Sequence, residues 1–207
     1  MVSDAPRRIA MWSGPRNLST ALMRAFENRP DTEVVDEPLY GVYLSQTGAP
    51  HPDAAGIIAA METDWRAVVA RLCGPSPDGA PVWYQKHMAH HLVAGVDRGW
   101  IGRLSNVLLI RSPRRVVASY AKRREGVVGA DLGYAQLLEV DELVTSVTGT
   151  RPLVIDADRL LAAPQRVLET LCGRLGLPFY PEMLGWPAGP RDSDGVWAPH
   201  WYRGVWD

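Results

Sequence analysis

The chain has 207 residues, of which 46% are hydrophobic and 22% charged, and this length and composition predict a single globular domain over residues 1–207 that buries its own core. Its 22 lysines and arginines almost balance its 23 aspartates and glutamates, so the formal net charge of −1 indicates no general attraction to nucleic acid or to an anionic membrane. The sequence shows neither the apolar run of a signal peptide nor a stretch long enough to span a bilayer, so we expect a cytoplasmic protein. Cys73 and Cys172 lie in helical patterns next to leucines, and we expect them to be buried thiols.

Strand-like and helix-like stretches alternate along the chain. This alternation favours a three-layer α/β fold in which helices flank a five-stranded parallel sheet. Right-handed crossovers between the strands place the first strand in the middle of the sheet. The candidate strands are RRIAMWS (7–13), TEVVDE (32–37), VWYQKHM (82–88), NVLLIR (106–111) and RPLVID (151–156).

Apolar spacing predicts the helices between these strands. The first covers about residues 18–28 and ends before Pro30, and a longer one follows Asp53 as its cap, with an apolar stripe that reaches Leu72. Ser112 is suited to cap a helix that begins at Pro113, and the last clear helix covers about residues 164–175. We expect the loops at 41–52 and 124–133 to be mobile flaps beside a substrate.

The stretch MWSGPRNLST (11–20) joins the first strand to the first helix. Gly14 can make a tight or left-handed turn, and the unpaired amides that begin a helix attract phosphate or sulfate. Arg16 adds a permanent charge, although an ordinary strand-to-helix turn would look similar. The stretch lacks the Gly-Lys-Ser/Thr ending of a Walker A loop, which disfavours magnesium-assisted ATP hydrolysis. The candidate anion-binding residues are Gly14, Pro15, Arg16, Asn17, Leu18, Ser19 and Thr20.

A second basic element follows the fourth strand in LLIRSPRRVVASY. Arg111 ends the strand and Ser119 lies about two turns into the next helix, so the two side chains can clasp a second phosphate group. Ligands bind at the carboxyl ends of the strands in an open α/β sheet, and the other predicted strand ends carry Asp36-Glu37, Lys86-His87 and Asp156. These polar strand ends together predict a cleft that binds an anion.

These motifs resemble those of the sulfotransferases that use 3′-phosphoadenosine 5′-phosphosulfate (PAPS). The stretch PRNLST is similar to the family's 5′-phosphosulfate loop, Pro-Arg/Lys-Ser-Gly-Thr-Thr, and RSPRRVVAS matches the 3′-phosphate element in its Arg, Pro and Ser spacing. A third similarity is the late segment from Asp158 to Leu184, which contains LGLPF, so the likeness covers about residues 8–184. DEPLYG and YQKHMAHHL resemble the bacterial and plant members that carry a Glu-Pro after strand two.

The resemblance implies metal-independent, in-line transfer of a sulfuryl group from PAPS to a hydroxyl or amine of a small-molecule acceptor. Arg16, the helix amides and Lys86 would hold the leaving 5′-phosphate, and Glu37 would accept the proton of the acceptor. Two features depart from the family pattern. Leu18 replaces the loop glycine, so we expect Gly14 to make the turn instead, and RDSDGVW (191–197) is only a partial match to the C-terminal loop that closes over the nucleotide.

His87 is the other candidate base, because some members use a histidine that follows a lysine at the end of strand three. Adjacent residues of a strand point to opposite faces, so we expect Lys86 to enter the cleft and His87 to point away. His90 and His91 lie nearby, but no carboxylate or cysteine spacing supports a metal site, and none is predicted.

The last 22 residues (186–207) hold four tryptophans. Together with Tyr202 they are suited to wall an apolar acceptor pocket, to form a subunit interface such as that of a homodimer, or to fold as a tail over the core. Two other functions stay open: a small-molecule kinase with a degenerate phosphate loop, and a non-catalytic nucleotide-binding relative.

Overall fold

The computed structural model describes residues 5–120 and 128–207, so part of the predicted flap at 124–133 lies outside the described residues. A five-stranded parallel sheet has the order β2-β3-β1-β4-β5, which confirms the predicted fold class and the central position of the first strand. The strands are β1 Arg7–Ser13, β2 Thr32–Asp36, β3 Val82–Met88, β4 Ser105–Ile110 and β5 Leu153–Asp156. Each lies within one residue or two of its predicted range.

Helices lie between these strands and after the last of them. The α-helices of the described residues are α1 Ser19–Glu27, α2 Tyr40–Thr47, α3 Ala54–Ala60, α4 Trp65–Leu72, α5 Pro113–Tyr120, α6 Tyr134–Thr148, α7 Ala157–Ala162, α8 Pro164–Arg174, α9 Ala198–Trp201 and α10 Arg203–Trp206. Short 3₁₀ turns cover Pro77–Gly79, Ala89–His91, Ile101–Arg103, Gly129–Leu132 and Pro181–Leu184. No helix in either described part of the chain has the length and apolar character needed to cross a membrane.

Each face of the sheet carries its own apolar core. On one face, side chains of β1, β3 and β4 pack against α1 and α8, which contribute Phe26 and Leu171. On the other face the alternate side chains pack against α4 and α6, which contribute Leu72 and Val140. Since successive strand residues point to opposite faces, the nearly continuous apolar runs of the central strands contribute side chains to both cores.

Two sequence predictions about the segment after β2 are wrong. The single long helix after Asp53 is divided, because Met61 is extended and Asp64 caps the new helix α4 by accepting the amide N–H of Arg66. The predicted flexible loop at 41–52 is largely helix α2, whose Leu44 is buried against the C-terminal segment. Helices α2 and α4 pack against segments that are distant in sequence, and a local sequence pattern does not reveal such contacts.

Candidate active site

The loop between β1 and α1 makes its turn with residues other than the one predicted. Arg16 and Leu18 have left-handed backbones with φ of 62° and 67°, whereas Gly14 does not. Gly14 is required for a different reason, because a Cβ there would lie 2.3 Å from the carbonyl oxygen of Leu132. Asn17 fixes the loop to the sheet by donating from Nδ2 to the Leu109 carbonyl at 3.2 Å. The loop therefore keeps its shape with Leu18 where a glycine would have been the easier residue.

Arg16, Ser119 and Arg111 meet beside this loop although they are distant in sequence. The Arg16 guanidinium donates from Nε to the Ser119 hydroxyl at 3.2 Å, and Arg111 donates from Nη1 to the Arg16 carbonyl at 3.0 Å. Arg111 also forms an ion pair with Asp158, with 3.3 Å between Nε and Oδ1. The two basic elements predicted from the sequence are thus joined in one site, and Arg111 both carries charge and supports the loop.

A buried charged cluster closes the floor of the cleft at the ends of β2 and β3. The Lys86 ammonium donates to Asp36 Oδ1 at 2.7 Å, to Glu37 Oε1 at 2.6 Å and to the Tyr202 hydroxyl at 2.7 Å. The Tyr202 hydroxyl donates to Asp36 Oδ2 at 2.5 Å and accepts a bond from Trp197 Nε1 at 3.2 Å. This cluster joins two strand ends to the C-terminal segment (residues 186–207).

Burial and neighbouring charge set the protonation of this cluster. Burial, with the adjacent Asp36 carboxylate, raises the pKa of Glu37 to about 7, while Lys86 opposes the rise. Burial lowers the pKa of Lys86, but the charges of Asp36 and Glu37 outweigh it and hold that pKa well above its ordinary value. Glu37 is therefore a carboxyl group that exchanges a proton near neutral pH, beside a permanent ammonium ion.

His87 lies on the opposite face of β3 from Lys86, in accordance with strand alternation. Its ring stacks on Trp12 with 4.2 Å between centroids, and burial lowers its pKa to about 3. His91, which the sequence analysis left ambiguous, is in the cleft: its Nε2 lies 4.0 Å from Glu37 Oε2, and its ring stacks on Tyr40. Burial also lowers the pKa of His91 well below its ordinary value, so the ring is neutral.

These features open into one cleft of about 1120 Å³. The predicted site residues that line it are residues 15–20, Glu37, Lys86, Arg111 and Ser119. Two predicted site residues, Gly14 and His87, are not among the described residues that line the cleft. Gly14 lies against Leu132, and His87 belongs to the core under α6. Asp156, another predicted polar strand end, instead caps α7 by accepting the amide N–H groups of residues 158 and 159.

The C-terminal segment forms one wall of the cleft. Trp186, Trp197 and Trp201 line it. The segment is held to α1 by an Arg24–Asp194 ion pair at 2.5 Å and by further bonds from its residue 191 to Glu27 and Asn28. The C-terminal segment thus packs against α1 and contributes three tryptophans to the wall of the cleft.

Three contributors to the site were not identified as such from the sequence. Asp36 was seen only as a strand end, Tyr202 only as one aromatic among several, and His91 only as a source of ambiguity. Asp36 precedes Glu37 directly, so alternation would have separated them, but the positive φ of 40° at Glu37 turns both carboxyl groups toward Lys86. That backbone conformation carried no signal in the sequence.

The fold and the site define a class: a parallel α/β protein in which the first strand-to-helix loop and the end of the fourth strand bring basic side chains to a cleft with a buried acid. The family model described as "Sulfotransferase domain" matches residues 7–207. The chain therefore belongs to the sulfotransferase domain family. Within residues 5–120 and 128–207, no group of three or more His, Cys, Asp or Glu side chains is arranged to hold a metal ion.

Two curated relatives come from Arabidopsis thaliana. Branched-chain-amino-acid aminotransferase-like protein 1 is 39% identical over 201 residues, which is 97% of this chain and 36% of that protein. Branched-chain-amino-acid aminotransferase-like protein 2 is 36% identical over 195 residues, which is 94% of this chain and 34% of that protein. The chain thus spans about a third of the length of these relatives.

Solved structures share the fold at low sequence identity. The sulfotransferase from Alicyclobacillus acidocaldarius has a TM-score of 0.57 and 14% identity, covering 84% of this chain and 83% of its own. The sulfotransferase domain of the Synechococcus PCC 7002 olefin synthase has a TM-score of 0.57 and 18% identity, covering 92% and 80%. The sulfotransferase domain from the curacin biosynthetic pathway has a TM-score of 0.53 and 17% identity, covering 94% and 82%.

Proposed function

We propose that this protein transfers a sulfuryl group from PAPS to a hydroxyl or amine of a small-molecule acceptor. The observation that carries the proposal is the meeting of two basic elements and one proton-exchanging carboxyl group in a single cleft. Membership of the sulfotransferase domain family supports the same reaction class.

The donor set suits a nucleotide with two phosphate positions. Arg16, the first amides of α1 and the hydroxyls of Ser19 and Thr20 lie together and offer N–H and O–H donors to a phosphosulfate group. Arg111 and Ser119 offer a separate charge and hydroxyl to a 3′-phosphate. A cleft of about 1120 Å³ has room for a nucleotide and an acceptor together, since pockets for small ligands commonly enclose about 300–1000 Å³.

In this proposal the acceptor oxygen or nitrogen attacks sulfur in line with the bridging oxygen. A bond forms between that atom and sulfur, the bond from sulfur to the bridging oxygen breaks, and the electron pair leaves on the 5′-phosphate of 3′-phosphoadenosine 5′-phosphate (PAP). Glu37 takes the acceptor's proton, and its pKa of about 7 suits a base that acts near neutral pH. Arg16 and the helix amides stabilise the charge that develops on the leaving phosphate.

The contacts of Lys86 support a role that differs from the sequence expectation. All three donors of its ammonium group face Asp36, Glu37 and Tyr202, so in this arrangement none is directed at a leaving phosphate. We propose that Lys86 acts on Glu37: it holds the carboxyl group in place and favours its ionised form. The acceptor meets Glu37 beside the aromatic wall formed by the C-terminal segment.

Calorimetry with PAP, compared with ATP and magnesium, tests the choice of nucleotide. We expect PAP to bind at least tenfold more tightly, because only PAP addresses both phosphate positions. Tighter binding of magnesium-ATP would favour the kinase alternative instead.

Turnover is then measured as acceptor-dependent release of PAP from PAPS with phenols, alcohols and amines. Glu37→Gln should abolish it while leaving PAP affinity within about threefold, and PAP binding without turnover for any acceptor would favour the non-catalytic alternative.

A further inference from the structure

Tyr202 occupies a central position in the buried cluster although it comes from the far end of the chain. Its hydroxyl makes three hydrogen bonds: it donates to Asp36 and accepts from Lys86 and from Trp197. The residue is 4% exposed, and its ring also lies 5.1 Å from the Lys86 nitrogen. A buried hydroxyl with one donor and two acceptor positions is fully used by this arrangement.

The Lys86 ammonium has three N–H groups, and Tyr202 engages one of them. The other two donate to Asp36 Oδ1 and to Glu37 Oε1. The same Tyr202 hydroxyl donates to Asp36 Oδ2, so it satisfies the second oxygen of the carboxyl group that competes with Glu37 for the lysine. Tyr202 therefore limits how far Asp36 can draw Lys86 away from Glu37.

Removal of this hydroxyl would change the balance between the two carboxyl groups. Among the residues that the structure describes, Asp36 Oδ2 would keep only a long contact to the Gly195 amide at 3.4 Å, and one N–H of Lys86 would lose its acceptor. An unsatisfied buried donor beside an unsatisfied buried carboxyl oxygen is costly, so the two should approach each other. Lys86 would then bind Asp36 with two donors and move away from Glu37.

We propose that Tyr202 is a positioning residue of the active site, which holds Lys86 on Glu37 and so makes the C-terminal segment part of the catalytic machinery. This inference rests on the proposed function, in which Glu37 is the base. The segment that carries Tyr202 is fixed to α1 by the Arg24–Asp194 ion pair. The base therefore depends on a residue 165 positions later in the chain.

Tyr202→Phe tests the proposal, because it keeps the ring and removes only the hydroxyl. The matched control is Tyr84→Phe: Tyr84 lies on β3 two residues before Lys86, and its buried hydroxyl has no hydrogen-bond partner among the described residues. The first measurement is the pH at which Glu37 titrates, read from the pH dependence of urea unfolding with and without Glu37→Gln. Tyr202→Phe should move this midpoint to higher pH, because the Tyr202 hydroxyl and Lys86 both lower the pKa of Glu37 and the substitution removes the first and withdraws the second. Tyr84→Phe should leave the midpoint unchanged.

Besides Tyr202, other groups face Glu37, and their protonation must stay constant for this comparison. They are Asp36 beside it, Lys86 on β3, His91 after β3 and Tyr40 on α2. The pKa of His91 lies well below 6.5 and that of Lys86 well above 10.5, so neither titrates near pH 7. An unchanged midpoint in a folded Tyr202→Phe protein would overturn the proposal.

The second measurement is turnover of PAPS. Tyr202→Phe should lower kcat by roughly tenfold to a hundredfold while the PAP dissociation constant stays within about threefold, since a misplaced catalytic group costs on this scale. Equal kcat values for Tyr202→Phe and Tyr84→Phe would contradict the positioning role. If the wild-type protein shows no turnover, the proposed function fails, yet the titration midpoint still decides whether Tyr202 positions Lys86.

Trp197→Phe provides a second variant should Tyr202→Phe unfold. It removes one hydrogen bond to the Tyr202 hydroxyl and leaves the contacts of that hydroxyl with Lys86 and Asp36 available. We expect a shift of the Glu37 midpoint in the same direction and of smaller size. A midpoint equal to that of wild type in Trp197→Phe, together with an unfolded Tyr202→Phe, would assign Tyr202 to stability and overturn the proposal.

Discussion

Glu37→Gln should make the protein more stable at alkaline pH, although it removes a partner of Lys86. The native pKa of Glu37 is about 7, against an ordinary value of 4.5. Between these two values the native state keeps the proton that the unfolded state has lost, so the unfolding free energy of the wild type falls as the pH rises. At roughly 1.4 kcal/mol per pH unit, the interval corresponds to a loss of about 3 kcal/mol. A glutamine does not titrate and escapes this loss.

Urea unfolding at intervals from pH 4 to pH 9 measures the effect. The wild type and Glu37→Gln should have similar unfolding free energies near pH 4, and the variant should exceed the wild type by about 3 kcal/mol at pH 8. The difference between the two curves is needed because His87 contributes with the opposite sign. Its native pKa of about 3 lies below its unfolded value, so its contribution is lost as the pH falls below about 6.5. This contribution is common to both proteins and cancels.

Glu33→Gln is the matched control for this experiment. Glu33 lies on the same strand, β2, and is half-buried at its start, away from the Lys86 cluster. In Glu33→Gln the loss of stability between pH 4.5 and pH 7 should persist, because Glu37 and its contact with Lys86 are intact. A difference curve for Glu37→Gln that is flat, or in which the wild type gains stability as the pH rises, would refute the reasoning, because Lys86 would then outweigh burial.

Three further predictions concern the nucleotide site, the loop and the core. Arg111→Ala should weaken PAP binding by about 1.5–3 kcal/mol and adenosine 5′-phosphate binding far less. Arg115→Ala, at an exposed residue, should affect the binding of both ligands little. If calorimetry shows that Arg111→Ala weakens both ligands equally, Arg111 is assigned to loop support. Gly14→Ala should lower the unfolding free energy by about 1–3 kcal/mol, because its Cβ would meet a carbonyl oxygen. Gly173→Ala, which has open space in α8, should be neutral or stabilising, and equal urea midpoints for the two variants would contradict this prediction. His87→Ala should cost roughly 2–4 kcal/mol of stability and leave turnover within about tenfold; a folded but inactive variant would show that His87 serves the reaction.

The sequence by itself determined the sheet and the two basic elements. Each strand contains a short apolar run, and an extended chain buries the side chains of such a run on alternate faces of the sheet. The bounds of β1 and β3 could therefore be predicted to the residue. Arg16 lies in the loop that follows β1, Arg111 directly follows β4, and Ser119 lies in the next helix, α5. Because the carboxyl ends of parallel strands share one edge of the sheet, their convergence follows from local information.

Only the tertiary structure decided how the site is completed. The left-handed backbones at Arg16 and Leu18, and the positive φ at Glu37, are imposed by surrounding contacts against local preference. The contact of Tyr202 with Lys86 and Asp36 joins groups that are more than a hundred residues apart, and it depends on where Asp194 anchors the segment to α1. Periodicity reports which side chains are buried, whereas the partner that a buried hydroxyl or ammonium meets is set by packing between distant segments.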